Sequence, residues 1–460
     1  MALSRGMFVC KNQGPSQPYD FSHPLAVAAG DVLQIFIHGI GNVEVDHATW
    51  RTRRCCLIPQ LLTSIGDRAT VHIHLSNSAN VLVKRYLALA ESAQPSAAAL
   101  ISTLIKGPIG RQATLRVRME NCANVSLAHD QSRLEIAGGS LIDSLVDLPA
   151  GSPPLANVEL DIVLRRCAQV SARSTATASG SVHVHKGQLI NEISDCQAIV
   201  GSRIQIHAQA VANVRVRDLR IEDGELFDEV LDATQIDNST VRINLMAVGN
   251  AHAHSIVITE GELVDEVLDV QSIDASTVSL TLACVACAQA GYLSIACGEL
   301  MDEVIDASET LSASDISVSM YRVGCFKGVR ATIRSGELVD EIVDATTLSG
   351  CDVSIRLHQI ANVDCQRLSL HDAQLLDEVV DCATLGAGSA VSLHIHNSAC
   401  IRAASLLMEN SQLMDALIDA HTIAPGGVKL SVSSSFKECP DPPGVPVCAP
   451  FLPAGKRSAR

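Results

Sequence analysis

Paired carboxylates recur along this chain at nearly constant spacing: Asp228-Glu229, Asp265-Glu266, Asp302-Glu303, Asp340-Glu341 and Asp377-Glu378. Two neighbouring carboxyl groups can act as acid and base on a glycosidic bond. They can also hold a hard cation such as Ca²⁺, which takes its ligands from carboxylate and carbonyl oxygens. Repetition weighs against catalysis, because a reaction centre is a singular event on a scaffold. It suits an edge printed on every unit, with Asp228, Asp265, Asp302, Asp340 and Asp377 as its Ca²⁺-ligand candidates. The calcium loop of the GGxGxDxUx type is absent, so the expectation is a solvated acidic edge with no cofactor, Ca²⁺ being the alternative.

Other chemically capable residues are sparser. His72 and His74, His183 and His185, and His394 and His396 form His-x-His pairs; in a strand both members point to one side, as transition-metal ligands would. The pairs lie in distant parts of the chain, and exposed polar filler is the simpler reading. Cys284-x-x-Cys287 lacks the matching second pair of a zinc site. The 16 cysteines are scattered, which suits buried thiols better than a disulfide framework. Phosphate loops, nucleophile elbows and zinc-hydrolase helices are not found, so the chain is expected not to be an enzyme.

The elements that position these groups follow from one repeated phrase. The copy at 261–270 reads GELVDEVLDV, with close copies at Gly224, Gly298 and Gly336 and looser ones at Gly139, Gly187, Ala373 and Ser411. From Gly187 onward the copies start about 37 residues apart, the mark of a repeat architecture. A second marker fixes the register. A small residue precedes Asn42, Asn80, Asn124, Gln169, Asn213, Asn250, Cys287, Cys325, Asn362 and Cys400, which makes ten units. Upstream of most markers stands a period-2 stretch, such as Val278, Leu280 and Leu282 alternating with Ser279 and Thr281; alternation marks a strand with one buried face. Shorter alternating pieces follow the marker, as at Val214 and Val216, then Leu219 and Ile221.

Each unit therefore reads strand, small-Asn corner, strand, strand, acidic phrase. Asn suits a corner because it tolerates unusual backbone angles and bonds its own backbone. Stacked corners let inward amides bond along the stack as a ladder. At the Cys positions the amide bonds are expected to be lost and replaced by thiol packing. The phrase itself reads as a short amphipathic helical turn, with Leu263, Val264, Val267 and Leu268 on one side and the acids on the other. A strand bent at Asp-Glu is the alternative.

This rhythm and its small-Asn corner resemble the right-handed parallel β-helix proteins of the pectate-lyase-like class. The resemblance covers roughly residues 31–435. It implies a mainly β fold, a single elongated β-solenoid of about ten coils with an internal Asn ladder. Several proteins of that class cleave polysaccharides, which keeps a carbohydrate-active enzyme as an alternative function. Residues 1–30 read as an N-terminal arm or cap, 31–435 as the solenoid, and 436–460, with six prolines and a basic finish, as an extended tail.

Composition bounds the partners. Apolar residues are 47% of the chain and aromatics only 3%, so Val, Ile, Leu and Ala must fill a narrow interior. A formal charge of −16 argues against nucleic acid and favours a cation or a basic partner. The apolar runs are too short for a membrane span. The first thirty residues lack a secretory pattern, and a rod of this kind suits an extracellular surface or a particle. The leading expectation is a structural or binding solenoid that self-associates head to tail through its ends into a filament, appendage, surface layer or spike. An acidic scaffold for a basic partner is the further alternative.

Overall fold

The computed structural model describes residues 6–20, 23–51, 56–90, 98–172 and 180–424, and the backbone of 429–435. It is a β-solenoid of about ten coils of roughly 38 residues, without helix among the described residues. Three long parallel sheets run its length. One coil shows the path. Thr240–Val248 lies in the first sheet, Ala251–Thr259 in the third, and Glu262–Val264 with Leu268–Asp274 in the second; Thr277–Val285 then returns to the first.

In-register stacking turns every alternating strand into columns. Ile162 pairs with Ile206, Ile206 with Ile243, Ile243 with Leu280 and Leu280 with Val318, each no more than 1% exposed. One continuous apolar cluster runs from Met7 to Ala399. Branched aliphatic side chains fit because each residue packs on its own kind about 4.8 Å away. The largest fully buried rings are Phe227 and Phe326.

Three corners punctuate each coil, and each has its own chemistry. The corner between the first and third sheets carries the small-Asn marker. The small residue itself holds the left-handed conformation: φ is 54° at Ala79, 51° at Ala212 and 63° at Gly249. Small size matters there because a bulkier side chain in that conformation clashes with its own backbone. The corner between third and second sheets is a glycine stack. A Cβ on Gly261 would sit 2.5 Å from the Gly224 carbonyl oxygen, and one on Gly336 would sit 2.4 Å from that of Gly298. The corner between second and first sheets holds buried serines, Ser202, Ser239, Ser276 and Ser314, all at most 5% exposed.

The acidic phrase is a bent strand, and the helical turn expected for it does not form. Its burial runs Leu263 and Val264 in, Asp265 and Glu266 half out, Val267 and Leu268 in. That two-in, two-out, two-in order is what a strand makes when it bends at Asp-Glu. The stack leaves no alternative: helices need about 8–10 Å between axes and a one-rung coil supplies about 4.8 Å. Copies at Gln188–Val200 and Glu225–Asp237 are continuous strands of 13 residues.

The two ends differ. Gly6–Lys11 lies antiparallel on Val32–His38 and takes up the free edge of the first sheet. Leu25–Val27 already pairs parallel with Leu62–Ile65, so the second sheet begins within the segment read as an arm. At the other end Lys429–Ser435 pairs with Ala390–His396. The proline-rich tail, 436–460, lies outside the described residues.

Candidate functional site: stacked carboxylates on the second sheet

The bent strand places four acids per coil on the outer side of the second sheet, and stacking sets like on like. Glu225 pairs with Glu262, Glu192 with Glu229 and Glu341 with Glu378. The fourth position makes an unbroken aspartate column from Asp147 through Asp195, Asp232, Asp269, Asp306, Asp344 and Asp381 to Asp419. Its N-terminal head is neutralised, because Lys106 pairs with Asp147 at 2.6 Å. Amides stand at the ends of the neighbouring columns. Gln188 donates to Asp228 at 3.3 Å, and Gln374 donates to Asp377 at 2.7 Å and accepts from Gln412 at 2.7 Å.

Between these ends several carboxylate oxygens find no donor among the described residues. The Oε2 atoms of Glu225, Glu266, Glu299, Glu303, Glu337 and Glu341 are buried without a hydrogen-bond partner. Burial, reinforced by the negative charge of Asp265 and Asp269, pushes Glu266 up to about 9. Burial and the carboxylates of Asp302 and Asp306 push Glu303 up to about 10. Glu229 rises to about 8 by burial and the charge of Asp232, and Glu341 to about 8 by burial and Asp340. In the tightly linked pair Glu299 and Asp302 both groups are raised, burial being the first cause. Adjacent carboxyl groups this close cannot all ionise, so the strip holds protons at neutral pH.

The same closeness forms oxygen clusters. Carboxylate oxygens of Asp265, Glu266 and Asp302 lie within 4.8 Å of one another, as do those of Glu299, Asp302 and Asp340, and of Glu303, Glu341 and Asp344. Of the five aspartates singled out by sequence, Asp265, Asp302 and Asp340 belong to such clusters, while Asp228 and Asp377 accept bonds from column-end glutamines. The clusters draw equally on Glu266, Glu303 and Glu341, the second members of the recurring pairs, and on Glu299 and Asp344, which sequence reasoning passed over. Their signal was present, since each recurs at a fixed place in the phrase.

The amide ladder is real, but it does not face the interior. Asn42 is exposed, and Asn80, Asn124, Gln169, Asn250 and Asn362 are half-buried on the corner; Asn213 is buried. The reason is geometric: the left-handed small residue turns the chain so that the marker lands outside the apolar columns. Each amide joins its coil to the next. Asn213 Oδ1 accepts the Asn250 N–H at 2.8 Å and its Nδ2 donates to the Ala247 carbonyl at 2.8 Å. Asn250 repeats both bonds to Cys287 and Cys284, and Gln169 donates to Ala210. Asn42, Asn80 and Asn124 likewise accept from the N–H of the next marker, and Asn362 accepts from Cys400.

Cysteine keeps half of this function. The thiols of Cys287 and Cys325 donate to the Arg322 and Gln359 carbonyls at 3.0 Å, so packing alone does not replace the amide there. Cys400 bonds within its own coil, to Ser398. The serine ladder at the opposite corner escaped the sequence reading, because a lone serine in a polar stretch carries little signal. There the Ser202 N–H donates to Ser239 Oγ and the Ser239 N–H to Ser276 Oγ, each at 3.0 Å.

The remaining candidates do not converge. His183 faces Glu222 at 2.9 Å on the third sheet, while His396 stacks on His358 on the first sheet, with ring centroids 4.8 Å apart. His72 and His74 are half-buried on the first sheet, and burial lowers both. His185 and His394 follow their partners on the same two sheets. Cys284 and Cys287 belong to the marker corner. Comparison with family models, curated proteins and solved structures finds no match to this chain.

Proposed function

We propose that the chain is a structural and binding rod, a subunit that assembles through its ends, and not an enzyme. The observation that carries this reading is the contrast between a continuous, repeated body and a C-terminal coil whose outer edge is unpaired among the described residues. The carboxylates of the acidic strip recur coil by coil in register, so the strip singles out no coil as a reaction centre. At the C-terminal coil, Ile401–Glu409 pairs on one side only among the described residues. An open parallel edge templates further strands, and a non-symmetric contact between unlike ends propagates as a filament. Val43–Trp50 is the matching one-sided strand of the third sheet at the other end. Negative-stain images and sedimentation over a hundredfold range of concentration test the reading. Rods of constant width that lengthen with concentration are expected, and compact monomers of one length throughout would overturn it.

A second reading concerns the strip itself. The clustered oxygens and orphaned Oε2 atoms favour a hard divalent cation, with Asp265, Glu266, Asp302 and their counterparts as ligands. Such binding displaces protons from the raised carboxyl groups. Calorimetry with CaCl₂ in two buffers of different ionisation enthalpy reads that release directly. Heat independent of the buffer, or no heat, rejects it.

A further inference from the structure

The cations of this acidic chain are not spread evenly. On the third sheet the strands Phe326–Arg334, Val363–His371 and Ile401–Glu409 lie on one another in register. Their outer side carries Lys327, Arg330, Arg334, Arg367 and Arg402, all exposed, against two carboxylates, Asp364 and Glu409. His371 already meets Glu409 at 3.0 Å. Cations earlier on the same sheet have partners: Lys84 meets Glu44, Arg217 meets Asp218 and Arg220 meets Glu222. The five later ones form no ion pair among the described residues.

The patch also holds apolar surface. Tyr292 is 46% exposed and Val329 43%. The Arg330 guanidinium lies over the Tyr292 ring, 5.9 Å from its centroid, and His254 meets that ring edge-on at 5.4 Å. Tyr and Arg are the side chains that most often anchor a contact between proteins.

The opposite charge stands nearby but on another side of the solenoid. Beyond the glycine corner the same three coils run into the acidic phrases at 336–345, 373–382 and 411–420, which hold nine acids and no Lys or Arg. The corner turns the two sheets apart, and among the described residues no ion pair joins the patch to its own strip. From this we infer that the third-sheet patch is a docking surface for a second copy of the chain, and that it takes the acidic second-sheet strip of that copy side by side.

Commensurate spacing selects this occupant. Both surfaces repeat once per coil, about 4.8 Å apart. Cations of one rod and acids of its neighbour therefore stay in step over every shared coil, which an anionic polymer of another repeat does not achieve. Height agrees as well. Patch and strip belong to the same three coils, so rods aligned without axial shift bring them together. The strip has room for the partner: the aspartate column meets a cation at its N-terminal head, where Lys106 pairs with Asp147, while Asp344 and Asp381 are half-buried and Asp419 is exposed. Because the contact joins unlike faces, each rod offers one of each and association runs on sideways. This goes beyond assembly through the ends. The ends set the length of the object, and this contact sets its width.

Salt separates the two, since exposed ion pairs are screened and a strand edge joined by backbone hydrogen bonds is not. Sedimentation and negative-stain imaging at about 50 and about 500 mM NaCl test the contact on the full chain and on two full-length variants. K327Q/R330Q/R334Q/R367Q neutralises the patch, and D344N/D377N/D381N/D415N neutralises the strip. Circular dichroism is the folding control, and the salt comparison on the unaltered chain stands whether or not a variant folds. Expected are side-by-side bundles of the unaltered chain at low salt, with association at least tenfold weaker at high salt, where rods keep one width. Each variant alone should associate at least tenfold more weakly at low salt. Their equimolar mixture should recover pairs and only pairs, because one variant keeps the strip and the other the patch. Equal lateral association at both salts, or a mixture that stays apart, overturns the contact. So does a chain that stays single at both salts, including one that binds dextran sulfate through the patch, which assigns that surface to an external polyanion. Bundles of rods of one length support the lateral contact and sink end assembly. Single rods that lengthen with concentration at both salts do the reverse.

Discussion

Two ladders climb the same solenoid with opposite outcomes. At the marker corner Asn213 and Asn250 stack, and each amide both accepts from and donates to the next coil. On the second sheet Glu266 and Glu303 stack, and each leaves a buried oxygen without a partner. In both places each residue meets its own copy about 4.8 Å along the stack. The difference lies in the side chain: an amide carries donor and acceptor, and a carboxylate is an acceptor alone until it takes a proton. In-register stacking multiplies whatever a residue does to its own copy. Self-complementary groups become a seam, and self-repelling groups become a reservoir of protons. The glutamines at 188, 374 and 412 mark where one column changes from the second kind to the first.

The largest effect expected from this contrast is on pH dependence. Glu266, raised to about 9 by burial and by the charge of Asp265, Asp269, Asp306 and Glu229, keeps in the folded state a proton that the unfolded chain releases near pH 4. Glu303 behaves likewise, to about 10. Over that window the folded state binds more protons than the unfolded one, so stability falls as pH rises. The thermal midpoint should be highest near pH 4 to 5 and drop by more than about 5 °C by pH 9. A flat or rising profile would mean that the strip is solvated or neutralised by something else.

Converting one ladder into the other is the next test. Asn250→Asp keeps the acceptor for Cys287 and removes the donor to Cys284, setting a carboxylate against a carbonyl. A loss of about 1–3 kcal/mol in urea unfolding at pH 7 is expected, and less at pH 4, where the new acid is protonated and can donate. Asn250→Cys should lose less, since Cys287 already shows a thiol donating at the same place. Equal losses for the two variants would remove the amide's special standing.

The smallest effect runs the other way. Glu303→Gln supplies a donor inside the acidic column and should stabilise the fold at pH 8 by about 1 kcal/mol. It should also flatten the pH profile. Destabilisation at pH 8 with an unchanged slope would show that Glu303 is not part of the proton reservoir.

Much of this was legible in the residues. The count of coils, the three strands per coil and the marker corner followed from spacing and alternation, because stacking requires each position to match its own copy. The acidic phrase was less legible. Its local pattern fits an amphipathic helix as well as a bent strand, and only the rise of one coil per rung excludes the helix. The location of the marker amides was likewise undetermined, since Ala212 and Gly249, not the Asn beside them, take the left-handed turn. The serine seam had no sequence signature of its own.

What the sequence by itself determined is the repeat and the identity of each column, since both are written as spacing. What only the tertiary structure decided is which columns face water and which oxygens meet. Those depend on how the corners bend and on what the neighbouring coil presents, and a one-dimensional pattern carries neither.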